Sequence, residues 1–223
     1  MPTLSGNALD FARTNYPRFH DGPAVRKFCV PIQSAYHRRL FPEIAFGREL
    51  PLFPSADFGP ILTRHADRTP GNTIRKVYLC RARTTMIRPG DVLLFYMSKD
   101  ENLAASQSIT TLAIAEQVRD ISDVEDLIKH AAKRSVYSAD EMRQMNPTPS
   151  SPVKVIDFLL VGHTQPVVGL TKLQSVGVFG SHPYQSIRCY PNNSTKPSEV
   201  SLKSDLRSNR SAQFHLPFAS EVV

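Results

Sequence analysis

A turn followed by a short, unbroken apolar run, within residues 87–118, constrains the fold of this chain more than any other feature. Pro89 and Gly90 predict the turn, because Pro fixes φ and Gly tolerates the left-handed region. Residues 92–96 are apolar, rich in β-formers and too short for most helices, so they predict a strand that is buried on both faces. Polar and apolar residues alternate in positions 108–118 well enough to predict the returning strand. Together these features predict a hairpin at the centre of a small β-rich domain.

The remaining secondary structure is predicted from periodicity and capping residues. Residues 33–41 form a short helix, in which apolar side chains recur every four positions. Ser122 with Glu125, and Ser138 with Glu141, each match the Ser-x-x-Glu capping box that begins a helix. Further strands are predicted at residues 25–32, 73–83 and 153–163, and a short helical turn at residues 171–176.

Three longer segments carry weaker periodicity. Residues 43–73 are rich in Pro and Gly and are predicted to form a long ordered loop, a kind of segment that is usually functional or mobile. Residues 1–22 are expected to be an N-terminal arm that adheres to the domain or ends something upstream. Residues 191–223 are rich in Ser, Asn and basic residues, and their low hydrophobicity predicts a disordered tail.

Composition excludes several classes of protein. The chain has 223 residues, enough for one domain with a real core, and its apolar fraction of 41% is ordinary for a soluble protein. No stretch approaches the roughly 18 apolar residues of a membrane span, and the N-terminal residues lack the regions of a signal peptide. We expect a cytoplasmic protein with no membrane partner. Cys29, Cys80 and Cys189 form no CxxC pair, so they predict buried thiols and neither a disulfide framework nor a zinc site.

The positive charge is unevenly distributed along the chain. Residues 1–90 hold 14 Lys/Arg and 6 Asp/Glu, a balance of +8. Residues 91–146 hold 6 and 10, a balance of −4, and the remainder holds 7 and 4, a balance of +3. Such a directional field favours a polyanionic partner such as nucleic acid, although much of the charge on basic domains only keeps them solvated.

The common catalytic signatures are absent from the sequence. No nucleophile elbow, zinc-protease helix, P-loop or Rossmann glycine triplet is present. Residues 174–179 resemble the pyrophosphate loop of acetyltransferases, but Phe179 stands where that loop needs Gly or Ala. A G-x-K-x-x-E-x-R motif, which occurs in some ribonucleases, is also missing. We therefore expect no catalytic residue, no metal and no cofactor on this chain.

Two stretches of the hairpin, PGDVLLFYMSKD and ITTLAIAEQV, resemble the core hairpin of PUA-like domains in the neighbourhood of the ASCH and EVE families. Residues 30–42 and 183–187 resemble the PUA-like domain that follows a GNAT acetyltransferase domain in some bacterial proteins. The resemblance covers roughly residues 16–188. It implies an α+β fold: a mixed, mostly antiparallel β-barrel with short flanking helices, over residues 23–190.

The resemblance also implies a cleft for a nucleotide or base. By matched position it points to residues of the 33–41 helix, of the end of the strand that follows Gly90-Asp91, of the returning strand 108–118 and of the 183–187 segment. These are Tyr36, His37, Tyr96, Ser98, Lys99, Thr110 and Gln185. Tyr and His can stack on a base, while Ser, Thr and Gln can read its polar edge.

Basic residues complete the predicted interface, and several of its members have a structural alternative. Arg38 and Arg39 can meet phosphate together with Lys99. Arg81 is expected to share a strand face with other arginines, where such a row can hold phosphates or be a solvated edge. Tyr96 can equally be a core residue and His37 an exposed helix residue. The chain has no Trp, which PUA-like readers of modified bases commonly use to box the base.

Three functions follow, from different classes. The favoured one is non-enzymatic binding of nucleic acid, with RNA as the expected ligand. The second is an accessory domain of a GNAT acetyltransferase, for substrate recognition or assembly; Met1 stands close to where such an enzyme domain would end. The third is a small hydrolase that uses Lys99 and Thr110 in the cleft.

Overall fold

The computed structural model describes residues 8–22, 24–42, 44, 73–83, 86–131, 134–175, 177–180, 187–190 and 213–214. The helices are α1 (Ala8–Thr14), α2 (Ser34–Leu40), α3 (Val124–Ala131), α4 (Ala139–Met145) and α5 (Leu170–Ser175). The strands are β1 (Lys27–Ile32), β2 (Arg75–Cys80), β3 (Val92–Met97), β4 (Ser108–Ile121), β5 (Val153–Gly169), β6 (Arg188–Tyr190) and β7 (Gln213–Phe214).

All seven described strands belong to one mixed sheet, with the order β2-β5-β4-β3-β1-β6 and with β7 paired to β5. The β1/β3 and β5/β7 pairs are parallel and the other pairs are antiparallel. The predicted α+β class and mixed sheet are confirmed. The predicted closed barrel is wrong, because no pairing among the described residues joins β2 to β6. The sheet curls nevertheless, since Tyr78 Oη of β2 donates to the Pro31 carbonyl of β1 at 2.9 Å.

The turn before β3 is confirmed, and Asp91 fixes it. The Asp91 amide donates to the Arg88 carbonyl at 3.1 Å, and Gly90 has φ of 90°, a region that favours glycine. The buried Asp91 carboxylate accepts from Arg26 at 3.2 and 2.6 Å and from the Arg88 amide at 2.6 Å. Glycine thus permits the turn, and a two-point ion pair ties it to the start of β1.

β3 lies at the centre of the core, since all six of its residues are buried. Its side chains alternate between two hydrophobic clusters, with Leu94 and Tyr96 in one and Leu93 and Phe95 in the other. Phe41, directly after α2, packs edge-on against Phe95 with ring centroids 5.0 Å apart. Burying one such side chain stabilises the fold by about 1.5–3 kcal/mol. The prediction of a strand buried on both faces is confirmed.

The returning strand β4 is confirmed, but its burial does not alternate as predicted: every residue from Ser108 to Glu116 is buried. Its ladder with β5 passes from Ile109 to Thr111 and from Ala115 to Gln117, so that Thr110 and Glu116 are skipped. The ladder with β3 skips Thr110 as well. A bulge of this kind leaves one residue outside the ladder and redirects its side chain.

The helix predictions are correct in place, and one cap is corrected. In α4 both halves of the predicted capping box are present: the Glu141 amide donates to Ser138 Oγ at 3.1 Å, and the Ser138 amide to Glu141 Oε2 at 2.6 Å. α3 is not capped by Ser122. The cap is instead Asp123, the residue after Ser122, whose carboxylate accepts the Asp126 amide at 2.9 Å. Asp caps a helix as well as Ser does, and its negative charge also interacts favourably with the helix dipole.

Several predictions concern segments that are described only in part. The predicted arm contains α1, whose Leu9 and Ala12 are buried against the core. Nearly all of the predicted 43–73 loop, most of the 183–187 motif and most of the predicted tail lie outside the described residues. Within the tail, β7 pairs in parallel with β5. The three cysteines are free thiols; Cys29 is buried, and this burial raises its pKa to about 12.

Candidate nucleic-acid interface

The parallel pairing of β1 with β3 brings α2 beside the loop that follows β3. Ile32 and Met97, the last residues of the two strands, are partners in the ladder, and the Ser98 amide donates to the Ile32 carbonyl at 2.9 Å. Both chain segments therefore leave the sheet at the same edge. The Ser34 hydroxyl, in the first turn of α2, donates to the Asp100 carboxylate. We call residues 34–38 together with 98–101 the α2–β3 edge.

This edge presents exposed charge of both signs. Arg38 is exposed and forms no hydrogen bond within the described residues, while Lys99, 65% exposed at its side chain, contacts Glu101 at 3.2 Å. The pKa of Asp100 is lowered, first by the hydrogen bond from Ser34 and then by the Asn102 amide, with a smaller contribution from Arg38. The predicted residues Arg38, Ser98 and Lys99 do lie near one another. Two cations and two carboxylates give the edge a formal charge near zero.

Arg39, the next residue of α2, is already engaged by α4. Its guanidinium donates to both carboxylate oxygens of Glu141, at 2.8 and 2.9 Å, and to the Val136 carbonyl. It also lies 5.7 Å over the half-buried Tyr36 ring, which packs against Tyr137 at 4.9 Å. The Arg39 hydrogen bonds lower the pKa of Glu141 to about 2. Arg39 therefore fastens α2 to α4, a role that competes with the predicted phosphate contact.

Beneath the edge runs a chain of hydrogen-bonded side chains, which we call the buried polar chain. His37 Nε2 lies 2.6 Å from Thr110 Oγ1, which lies 3.3 Å from Thr111 Oγ1, which lies 2.9 Å from His163 Nδ1. Phe41 contacts both histidine rings edge-on, at 5.1 and 5.8 Å between centroids. His37, Thr110 and Thr111 are fully buried. The two predicted residues His37 and Thr110 are thus brought together, but below the surface.

Tyr96 is also buried, which favours the core alternative that the sequence left open. Its ring packs edge-on against Phe179 at 4.9 Å, and burial raises its pKa to about 12. Its hydroxyl has no hydrogen-bond partner among the described residues. Contact of Tyr96, His37 or Thr110 with a base would require the residues packed over them to move.

The last two predicted site residues lie elsewhere. Arg81 directly follows β2 and is already engaged, because its guanidinium donates to Ser151 and to the Met145 carbonyl. Gln185 is outside the described residues.

The sequence did not predict a second charged site, at the other end of β4. An open pocket of about 430 Å³ is found there, and its lining among the described residues consists of four arginines, two carboxylates and one amide. These residues, which we call the arginine pocket, are Arg13, Arg75, Arg119, Arg134, Glu116, Asp157 and Gln117. The arginines come from α1, β2, β4 and the segment after α3, so no local motif could have indicated the site.

Each carboxylate of the arginine pocket pairs with two arginines. Glu116 contacts Arg13 at 2.9 Å and Arg75 at 3.2 Å. Asp157 contacts Arg119 at 3.3 Å and Arg134 at 3.6 Å. Both carboxylates are buried, whereas all four arginine side chains are partly exposed. The pocket therefore has an acidic floor and a cationic rim, and its described lining residues, four cations and two anions, have a formal charge of +2.

No protein-family model matches this chain, and no curated protein matches it. Among solved structures, it is similar to the ASCH protein of Zymomonas mobilis, with 15% identity and a TM-score of 0.44 over 73% of this chain and 85% of that one. Two mutants of the same protein, at 14% and 13% identity and a TM-score of 0.45, are matched over 88% and 86% of their length. A likeness at this level does not assign a ligand or an activity to this chain.

None of the helices in the described part of the chain is long and apolar enough to cross a membrane.

Proposed function

We propose that this protein is a PUA-like domain that binds nucleic acid, RNA in the first place, without acting on it chemically. The observation that carries the proposal is the parallel β1/β3 pairing, which sets the start of α2 beside the loop after β3. That arrangement places two exposed cations, Arg38 and Lys99, at one edge of the sheet. Exposed Arg and Lys side chains are the usual contacts to phosphate oxygens.

The charge of the whole chain supports the same function. Asp100 and Glu101 offset the two cations at the α2–β3 edge, so local charge alone attracts a polyanion weakly. The chain as a whole carries +7, with +8 in residues 1–90, and this long-range field favours approach of nucleic acid. Binding that depends on such a field weakens steeply as salt is added, because bound cations are released from the nucleic acid.

The buried polar chain supports binding and not hydrolysis. Thr110 is fully buried and hydrogen-bonded, so its hydroxyl cannot reach a substrate as a nucleophile. Its contact with His37 instead holds α2 against the sheet, which keeps Arg38 in place. No contact among the described residues favours the alternative role beside an acetyltransferase.

The test is binding of a fluorescently labelled single-stranded RNA, followed by anisotropy at about 50 and about 200 mM salt. Arg38→Glu and Lys99→Glu should each weaken binding about tenfold at the lower salt, because each converts a phosphate contact into a repulsion. Arg143→Glu is the matched control: Arg143 is an exposed arginine of α4, paired with Asp140, with the same change of charge. It should change affinity less than about threefold.

Two results would refute the proposal. One is no detectable RNA binding at the lower salt. The other is an equal loss of affinity in all three variants, which would mean that net charge and not the α2–β3 edge determines binding. An intact circular dichroism spectrum and melting temperature in each variant exclude loss of the fold as the cause.

A further inference from the structure

The arginine pocket has the charge and the hydrogen-bond donors of a phosphate site, and the proposed RNA interface does not use it. Its four arginines outnumber its two carboxylates, and each guanidinium has five N–H donors in a planar fork. The carboxylates engage only part of this set. The four arginines that carry the remaining donors line a concave space, which differs from the single exposed cations of the α2–β3 edge.

The two carboxylates hold the arginines in position before any ligand binds. Glu116 lies at a β4 bulge, and Gln117, the next residue, is the ladder partner of Asp157. The two acids therefore stand close together on neighbouring strands. Each pins two guanidinium groups from different elements, which reduces the side-chain entropy that a ligand would otherwise have to remove. Two pairs of arginines thus face one pocket.

The pattern of two arginine pairs fits two linked phosphate groups. A volume of about 430 Å³ holds on the order of a dozen water-sized atoms, more than one phosphate occupies. A terminal phosphate carries about −1.5 to −2 charges, whereas a phosphate within a nucleic-acid backbone carries one. The end of a nucleoside diphosphate therefore carries about −2.5 to −3 charges, and the formal +2 of the pocket neutralises most of this charge. Arginine is also the residue best suited to bind phosphate oxygens in pairs.

Among the described residues, the lining contains no aromatic and no apolar side chain. A base would have only guanidinium planes to stack on, and carboxylates already pair with these groups. We propose that the arginine pocket binds the diphosphate group of a small ligand, either free pyrophosphate or the end of a nucleoside diphosphate, without reading the base. This site is distinct from the α2–β3 edge and does not depend on RNA binding there.

The structure allows variants that remove a donor without leaving a buried acid unpaired. Arg75→Gln leaves Glu116 paired with Arg13, and Arg134→Gln leaves Asp157 paired with Arg119. Arg143→Gln is the matched control, since its side chain is 55% exposed, against 54% for Arg75, and it too is ion-paired. Each substitution removes one positive charge.

The experiment is isothermal titration of the full chain with sodium pyrophosphate at low ionic strength. Pyrophosphate should bind at least about tenfold more tightly than orthophosphate or sulfate, and Arg75→Gln and Arg134→Gln should each reduce its affinity about tenfold. Arg143→Gln should change it less than about twofold. Titration with ADP separates the two sources of the diphosphate group. An affinity for ADP equal to that for pyrophosphate supports a nucleotide as the ligand, and a much lower affinity for ADP supports the free ion.

The proposal is overturned if sulfate or orthophosphate binds as tightly as pyrophosphate, because the pocket would then be a general anion site. It is also overturned if Arg75→Gln and Arg134→Gln retain the wild-type affinity for pyrophosphate, or if Arg143→Gln loses as much affinity as they do. Pyrophosphate binding without RNA binding would refute the proposed function and leave this site standing. RNA binding without pyrophosphate binding would do the reverse.

Discussion

The α2–β3 edge and the arginine pocket lie toward opposite ends of the same strand, β4. Thr110, beneath the edge, and Glu116, at the floor of the pocket, are six residues apart, which corresponds to about 20 Å of extended strand. Both are skipped in the ladder between β4 and β5. One strand thus supplies a buried hydroxyl at one end and a buried carboxylate at the other, each redirected by a bulge.

The two regions differ in how their charges are assembled. At the edge, the cations and carboxylates come from α2 and one short loop, and their formal charges cancel. In the pocket, four elements contribute one arginine each around two acids, and +2 remains. The net charge of successive sequence segments therefore does not show where in the fold an anion site lies. The pocket draws two arginines from residues 1–90 and two from the acidic segment 91–146.

The largest expected effect concerns the support of the edge. Thr110→Val keeps the shape of the side chain but removes the hydroxyl that bonds His37 and contacts Thr111, so we expect a loss of about 2–3 kcal/mol in unfolding free energy. Urea denaturation measures it. Thr171→Val, at an exposed position of α5, is the control and should cost less than about 0.5 kcal/mol. Equal costs would show that the buried polar chain does not stabilise the fold.

The next effect concerns the floor of the pocket. Glu116→Gln leaves Arg13 and Arg75 near each other without their anion, so we expect a loss of about 1–2 kcal/mol. The control is Glu125→Gln in α3, where the carboxylate is exposed, and it should cost less than about 0.5 kcal/mol. A cost no larger than that of the control would mean that the acids do not organise the arginines.

A smaller effect depends on pH and tests the link between α2 and α4. Glu141 has its pKa lowered from 4.5 to about 2, chiefly by Arg39, so its pairing stabilises the fold above pH 4.5 and that stability is lost as the pH falls toward 2. Because the pair is partly exposed, we expect Glu141→Gln to cost about 1 kcal/mol or less near pH 7. Urea denaturation at several pH values should show this cost shrinking as acid is added.

The control for that experiment is Asp140→Asn, one residue earlier, where the carboxylate is far more exposed and pairs with Arg143. Its cost near pH 7 should be the smaller of the two. Glutamine at position 141 can still accept the Ser138 amide, so the capping box survives and the comparison isolates the Arg39 pair. A Glu141→Gln cost that stays constant down to pH 2 would contradict the assignment.

The smallest expected effect is the stability of the pocket variants themselves. Arg75→Gln should change the unfolding free energy by less than about 0.5 kcal/mol, because its side chain is 54% exposed and Glu116 keeps Arg13. Thermal unfolding of the wild type, Arg75→Gln and the control Arg143→Gln measures this change in stability. A loss above about 1 kcal/mol would mean that Arg75 serves the fold more than a ligand.

Much of the fold could be predicted from local sequence. The turn at Gly90, the buried strand β3, the helix α2 and the Ser138 capping box each depend on neighbouring residues, and the structure confirms them. The closed barrel and the alternation of β4 were wrong. Closure depends on whether distant edge strands meet, and a bulge arises from the fit between three strands, which no single segment specifies.

The candidate sites divide in the same way. His37 and Thr110 were predicted together and are in contact, but their burial, like that of Tyr96, follows from packing by Phe41 and Phe179, which the local pattern did not reveal. The arginine pocket could not be predicted, since its arginines are separated by 62, 44 and 15 positions in the sequence. Local sequence was enough to place the turn, the buried strand and the capped helix, because backbone preference and capping act between near neighbours. The convergence of charges and the burial of polar groups became visible only in the folded chain, because both depend on the distances that sheet pairing creates between remote segments.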